Sequence, residues 1–265
     1  MRQFDLLRKP YFYPMKIALL ADIHGNAIAL DAVLEDIERE GGVDAHWILG
    51  DLVAIGPDPI GVLQQISALD NTTIIRGNTD RYVATNDRPG PGIAEVQANP
   101  ALLKPLIQVA NTFAWTQGMV TAAGWLPWLA KLPLDFEMQL PDGTRFLGVH
   151  ASPGTDDGTG ISPASTDEEI ETLFNNCHKD LVCVGHTHLP LDRKWEKMHL
   201  VNPGSVGLSR TPDLHACYAM LETETDGYRI QHRRVPFDRQ AVIDQLINLA
   251  HPARDYIIHH LTHQL

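Results

Sequence analysis

The chain has 265 residues, 44% of them hydrophobic and 20% charged, which suits a soluble globular protein with a sizeable core and argues against wholesale disorder. Acidic residues number 33 against 21 Lys and Arg, and the formal net charge of -12 argues against long tracts of nucleic acid as the main ligand, because backbone phosphates are held by clustered cations. No apolar run approaches the roughly 20 residues of a membrane span and no apolar signal core opens the chain, so a cytoplasmic location is expected. Cys177, Cys183 and Cys217 form no CxxC pair and are read as buried small hydrophobes.

Residues 1–14, MRQFDLLRKPYFYP, lack periodicity and are read as an N-terminal extension, with translation expected to begin at Met15 and residues 15–265 to form one domain. The apolar run KIALLA has strand character and leads into Asp22-Ile23-His24. NAIALDAVLEDIERE then places Ile28, Val33, Leu34 and Ile37 at mostly helical spacing, with Asn26 as cap and Gly41-Gly42 as stop. The same order recurs over 45–68: AHWILG before Asp51, a loop punctuated by Pro57 and Pro59, then GVLQQISAL as helix. TTIIRG precedes Asn78. From about 82 to 132 the pattern turns helix-like around Trp115, Trp125 and Trp128, an insertion that either caps a site or anchors a helical hairpin on the core. Residues 134–149 read as a hairpin turned by Pro141-Asp142-Gly143-Thr144, with TRFLGV leading to His150. Strands resume over about 181–232, with LVCVG before His186-Thr187-His188, and helical pieces over about 238–249 and 252–261 close the chain.

Five segments thus deliver Asp22, His24, Asp51, Asn78, His150, His186 and His188 to the carboxyl ends of predicted strands, where open α/β sheets gather their ligand sites. In an extended segment residues i and i+2 share a face, so Asp22 with His24, and His186 with His188, are expected to enter one cavity. Two carboxylates, four imidazoles and a carboxamide, without thiolate, suit a pair of divalent cations such as manganese, iron, zinc, nickel or cobalt, and an Asp can bridge two ions. A lone D-x-H or H-x-H is a weak signal, whereas five such segments in order are a strong one. Two dications less Asp22, Asp51 and one bridging hydroxide leave about one positive unit, so an acidic chain can still receive a small phosphorylated or nucleotide-like substrate. Arg76 and Arg81 flank the third segment and read either as clamps for substrate phosphate or as surface ion-pairing residues. His259 and His263 have i, i+4 spacing and read as exposed, while His46, His178, His199, His215, His232, His251 and His260 lie outside the pattern.

The segments ALLADIHGN, LGDLVAIGPDP, RGNTD, VHASP, VGHTH and VNPGSVG resemble the calcineurin-like metallophosphoesterases, whose pattern is D-x-H, G-D, G-N-H-[DE], H and G-H-x-H. In detail they look like a bacterial branch of small phosphodiesterases and diadenosine-polyphosphatase-like proteins, over about Lys16 to Gly207. The resemblance implies an α/β fold, a four-layer α-β-β-α sandwich with a helical insertion. It also implies a dinuclear centre in which Asp22, His24 and His188 hold one metal, Asn78, His150 and His186 the other, and Asp51 bridges. The implied activity is metal-dependent phosphoester hydrolysis, foremost of diesters, by a hydroxide shared between ions about 3.5–4 Å apart and attacking phosphorus in line. Phosphomonoesterase, protein phosphatase or dinucleoside-polyphosphate hydrolase activity is the alternative, and a non-catalytic scaffold is the reading from a different class. Thr79 departs from the family pattern: it stands where a histidine protonates the leaving group, and a threonine hydroxyl is no acid near neutral pH. Asn202-Pro203-Gly204-Ser205 looks like a family turn beside the site, with a supporting or a phosphate-contacting role.

Overall fold

A computed structural model of the chain describes residues 13–262. The expected N-terminal extension as far as residue 12, and His263, lie outside the described residues.

The first strand, β1 (Met15–Leu20), and helix α1 (Ala27–Arg39) take up the first expected unit. The Asn26 side chain caps α1 by accepting from the Ala29 N–H at 3.1 Å, and the helix ends before Gly41-Gly42. Strand β2 (Ala45–Ile48) and helix α2 (Pro59–Ala68) repeat the unit, with Asp58 as cap and Pro59 in the first turn. After β3 (Thr72–Ile74) the chain enters α3 (Asn78–Thr85), so Asn78 opens a helix. The expected insertion then contains α4 (Ile93–Ala98), a 3-10 turn, α5 (Leu103–Ala122) and α6 (Leu126–Leu129). The hairpin of β4 (Asp135–Gln139) and β5 (Arg145–Val149) follows.

Next comes α7 (Asp167–Phe174), a helix that the reading of periodicity missed. Its signal was local: Thr166 accepts from the Glu169 N–H at 3.2 Å while Glu169 accepts from the Thr166 N–H at 2.8 Å, a capping box legible as T-x-x-E. Strands β6 (Leu181–Cys183), β7 (Leu191–Trp195), β8 (Met198–Asn202), β9 (Ala216–Thr223) and β10 (Tyr228–Val235) precede the last helices, α8 (Arg239–Asn248) and α9 (Arg254–Thr262).

The strands form two mixed sheets of five strands each. One runs β10-β9-β1-β2-β3 and the other β4-β5-β6-β8-β7. In each, three strands are parallel (β1, β2, β3 and β5, β6, β8) and the remaining pairings are antiparallel. Strand periodicity divides the side chains between faces. Ile17, Leu19 and Trp47 meet Phe146, Leu181, Cys183 and Val201 between the sheets. Ala18, Leu20 and Ile48 face outward under Leu30, Val33, Val62 and Ile66 of α1 and α2, while Val182 and Val184 face outward under Ile170 and Phe174 of α7. Helix, sheet, sheet and helix therefore stack in four layers. Trp125 and Trp128, edge to face at 5.6 Å, pack on the outer cluster, and Trp115 lies against the His251 ring at 4.4 Å, so the tryptophans anchor the inserted helices.

Candidate metal centre

Five of the six parallel strands deliver the predicted ligands to one end of the sandwich. Asp22 and His24 follow β1, Asp51 follows β2, Asn78 follows β3, His150 follows β5, and His186 and His188 follow β6, so the fold brings together all seven residues singled out by sequence. Asp22, His24, Asp51, Asn78 and His150 are buried, whereas His186 and His188 are partly exposed, and the site opens on their side.

The backbone achieves this differently from the extended geometry expected of D-x-H and H-x-H. Asp22, His24, Asp51, His186 and His188 have φ between 50° and 69°, in the left-handed region, which non-glycine residues visit at a cost of about 1–3 kcal/mol each. Alternating left-handed residues also return side chains i and i+2 to one cavity. Backbone hydrogen bonds hold the conformation: Asp22 N–H donates to Gly50 O at 3.0 Å, His24 N–H to Asp51 O at 2.9 Å and Gly185 N–H to His150 O at 2.8 Å. Two glycines are sterically required. A Cβ on Gly77 would lie 2.0 Å from Asp51 Oδ1, and one on Gly207 would lie 1.9 Å from Ile23 O.

The hydrogen bonds at the rear of each imidazole fix which nitrogen faces the cavity. His24 and His188 direct Nδ1 at the carbonyls of Ala54 (3.2 Å) and Leu208 (2.8 Å). A carbonyl only accepts, so each Nδ1 carries the proton and each Nε2 is a bare acceptor. Those two Nε2 atoms are 3.0 Å apart. Burial pushes the His24 imidazole down to about 4 and His188 well below the usual range, so neither is charged near neutral pH. On the other side, His150 Nδ1 donates to Leu49 O at 2.6 Å and His186 Nε2 to Gly158 O at 2.8 Å. Their remaining nitrogens lie 3.1 and 3.0 Å from Asn78 Oδ1. Acceptors facing acceptors at these distances call for a shared proton or a cation between them.

Asp51 lies between the two groups. Its Oδ2 is 3.6 Å from His24 Nε2 and 3.5 Å from His150 Nε2, while Oδ1 accepts from the Thr79 N–H at 2.9 Å in the first turn of α3. Asp22 Oδ1 is 3.4 Å from His188 Nε2, and both its oxygens accept from the His186 N–H. Among the described residues, Asp22, His24, Asp51 and His188 offer ligand atoms all within 4.8 Å of one another, a set able to hold a cation. Burial raises the Asp22 carboxyl well above its usual value despite the pull of His150. Burial works the same way on Asp51, but His150 and His24 hold its carboxylate far below the usual range. His150 rises to about 10 because Asp51 and Asp22 more than offset its own burial. The chain without metal thus keeps a proton where positive charge is wanted.

Two supporting carboxylates, Asp80 and Asp156, were not singled out from the sequence. Asp80 is fully buried and accepts from the Leu52 and Gly77 N–H groups, both at 2.9 Å, tying the loop after β2 to the start of α3. Burial and the Asp51 charge raise its carboxyl to about 7. Asp156, also buried, accepts from Arg76 Nε at 2.7 Å and Arg81 Nε at 2.9 Å. Arg81 spends its other nitrogens on Asp87 and Asp157, each at 2.9 Å. Ion pairing thus occupies Arg81 throughout, while the two terminal nitrogens of Arg76 keep no partner among the described residues. Asn202 donates to Gly185 O at 2.6 Å and Ser205 to Asp22 O at 2.7 Å, so the Asn202–Ser205 turn supports the ligand loops.

Residues 15–226 match the calcineurin-like phosphoesterase superfamily domain, and the chain belongs to that superfamily. Over 251 residues it is 28% identical to an uncharacterized protein of Methanocaldococcus jannaschii, covering 87% of this chain and 91% of the relative. It is 30% identical over 165 residues to the symmetrical bis(5'-nucleosyl)-tetraphosphatase of Photorhabdus laumondii, covering 61% of this chain and 53% of that enzyme. The matched region thus spans about half the length of the tetraphosphatase. Among solved structures, a metallophosphoesterase from Sphaerobacter thermophilus matches with a TM-score of 0.74 at 25% identity over 95% of this chain and 99% of that one. A hypothetical protein from Pyrococcus horikoshii shares the fold, with a TM-score of 0.78 at 23% identity over 94% of this chain and 98% of that one.

Proposed function

We propose that the chain is a dinuclear metal-dependent phosphoesterase, foremost a phosphodiesterase for small or nucleotide-like substrates. The observation that carries this reading is the pair of acceptor groups, Asp22–His24–His188 and Asn78–His150–His186, with one oxygen of Asp51 between them. Such groups suit two divalent cations, manganese or iron, zinc, nickel or cobalt, with Asp51 as the bridge. When bound, the ions would lower the pKa of coordinated water toward neutrality and offset charge growing on the phosphoryl oxygens. The chain's own residues do the rest. The buried side of the cavity excludes bulk water, the backbone carbonyls behind the imidazoles fix their tautomers, and the open side at His186 and His188 admits substrate. Arg76, pinned through Nε to Asp156, has two N–H-bearing nitrogens left to receive a phosphate oxygen.

The leaving-group side is less well equipped. Thr79 Oγ1 is buried without a hydrogen-bond partner, and Asp80, the carboxyl next to it, has both oxygens engaged by backbone N–H groups. Neither is placed to give up a proton. Substrates whose leaving groups depart unprotonated should therefore be preferred. The experiment is a screen of the metal-reconstituted chain against aryl and alkyl diesters, monoesters and dinucleoside polyphosphates. Acidic-leaving-group diesters are expected to turn over faster than alkyl monoesters; equal or faster alkyl monoester turnover would contradict the reading. A second reading, hydrolysis of dinucleoside polyphosphates, draws on the similarity to the symmetrical tetraphosphatase, and its leaving group is itself an acidic phosphate. The same screen separates the two.

A further inference from the structure

Helices α8 and α9 lie beyond residue 226, where the superfamily match ends, yet they touch the loop that stands behind the candidate metal centre. That loop is fastened to the centre at several points. Ser205 Oγ and Gly207 N–H both donate to Asp22 O, at 2.7 and 3.0 Å, and Leu208 N–H donates to Ser205 Oγ at 2.8 Å. The Leu208 carbonyl then accepts the His188 Nδ1 proton, and the Leu208 side chain packs among Val242, Leu246, Ile257 and Leu261 of the two helices.

The next carbonyl along the loop, Ser209 O, accepts from His260 Nε2 at 3.0 Å. His260 sits on the apolar face of α9, between Ile257 and Leu261, and is 4% exposed. Its Nδ1 has no hydrogen-bond partner. An unpaired buried nitrogen is destabilising, and a leucine would fill an apolar position without it. What the imidazole adds is one directed hydrogen bond to the peptide adjoining the His188 acceptor. We propose that α8 and α9 brace the ligand loop from behind, and that His260 is a positioning residue: by fixing the Leu208–Ser209 peptides it sets the ring orientation and Nδ1–H tautomer of His188. The inference rests on the metal-centre reading above.

The test compares the full chain with His260→Leu, which keeps bulk but removes the donor, and His260→Gln, whose amide N–H can reach a carbonyl. Two signals are read: the His188 tautomer in the metal-free protein, from its imidazole nitrogen NMR resonances, and the affinity for Mn2+ alone, by calorimetry. The wild type should hold a single Nδ1–H tautomer. His260→Leu should mix tautomers and weaken Mn2+ binding by about 10-fold, the lower end of the range for groups that orient metal-bound histidines, and His260→Gln should restore both. A folded His260→Leu variant with unchanged tautomer and affinity would overturn the proposal. So would loss of thermal stability in both variants with the His188 resonances unmoved, since that is the signature of a merely structural contact. A wild type that binds no Mn2+, together with the predicted tautomer change in His260→Leu, would leave the positioning role intact and overturn the metal-centre reading instead.

Discussion

Each imidazole of the site donates one ring N–H to a backbone carbonyl and turns its other nitrogen inward, bare on His24, His186 and His188 and carrying a proton on His150, so which atom faces the cavity is decided by the loops rather than by the side chains alone. Asp51 is the residue on which both groups depend, because one oxygen faces both and the other is held by the N-terminus of α3. Asp51→Asn removes the carboxylate charge while keeping the shape. Metal content and turnover should both fall, turnover by more than the roughly 100-fold that loss of an orienting group can cost a metal site; a variant with full metal and full activity would show that Asp51 does not bridge. The residue types at the centre were legible in the sequence because each follows an apolar strand. Their left-handed backbone was not, since no residue type in D-x-H or H-x-H marks it. Asp156 was also hidden: in the loop ASPGTDDGTG nothing separates it from Asp157, and only the folded chain brings it against Arg76 and Arg81.

At the scale of elements, strands followed by ligands were the clearest signal, because strand runs of only three to six residues ended at recognisable polar motifs. Helix α7 was missed because its apolar face, Ile170, Leu173 and Phe174, spans little more than one turn, too short a run to establish a period, while its capping box was decisive locally. The two terminal helices were read correctly as elements, but the histidines on and before α9 were placed outside the functional pattern. His251, buried between α8 and α9 against Trp115, has its pKa lowered by burial from 6.5 to about 4. Its folded-state value lies below its unfolded value, so the unfolded chain takes up the proton first, and stability present above pH 6.5 is lost as the pH falls toward 4. Thermal melts of the metal-free chain should therefore drop across that window. His251→Asn, which keeps an acceptor for the Ala253 N–H, should lessen the drop, and a slope identical to wild type would show that His251 does not titrate with unfolding.

At the scale of the molecule, each sheet contains a run of three parallel strands, and the sheets are packed so that the parallel strands of both end at the same place. That convergence follows the rule that open α/β sheets bind ligands beyond the carboxyl ends of their strands, here applied to two sheets at once. Under the proposed function, a chain of net charge -12 would receive an anionic substrate at this end because its acceptors are concentrated where cations would reverse the local sign. No helix among the described residues is long and apolar enough to cross a membrane. The central claim is that this end of the sandwich holds two cations bridged by Asp51. Calorimetric titration of the metal-free chain with Mn2+, with elemental analysis and aryl diester turnover on the same samples, tests it most directly. Two ions per chain, and turnover that rises only as the second ion binds, are the predicted result; turnover by the metal-free chain, or full activity with a single ion bound, would contradict it.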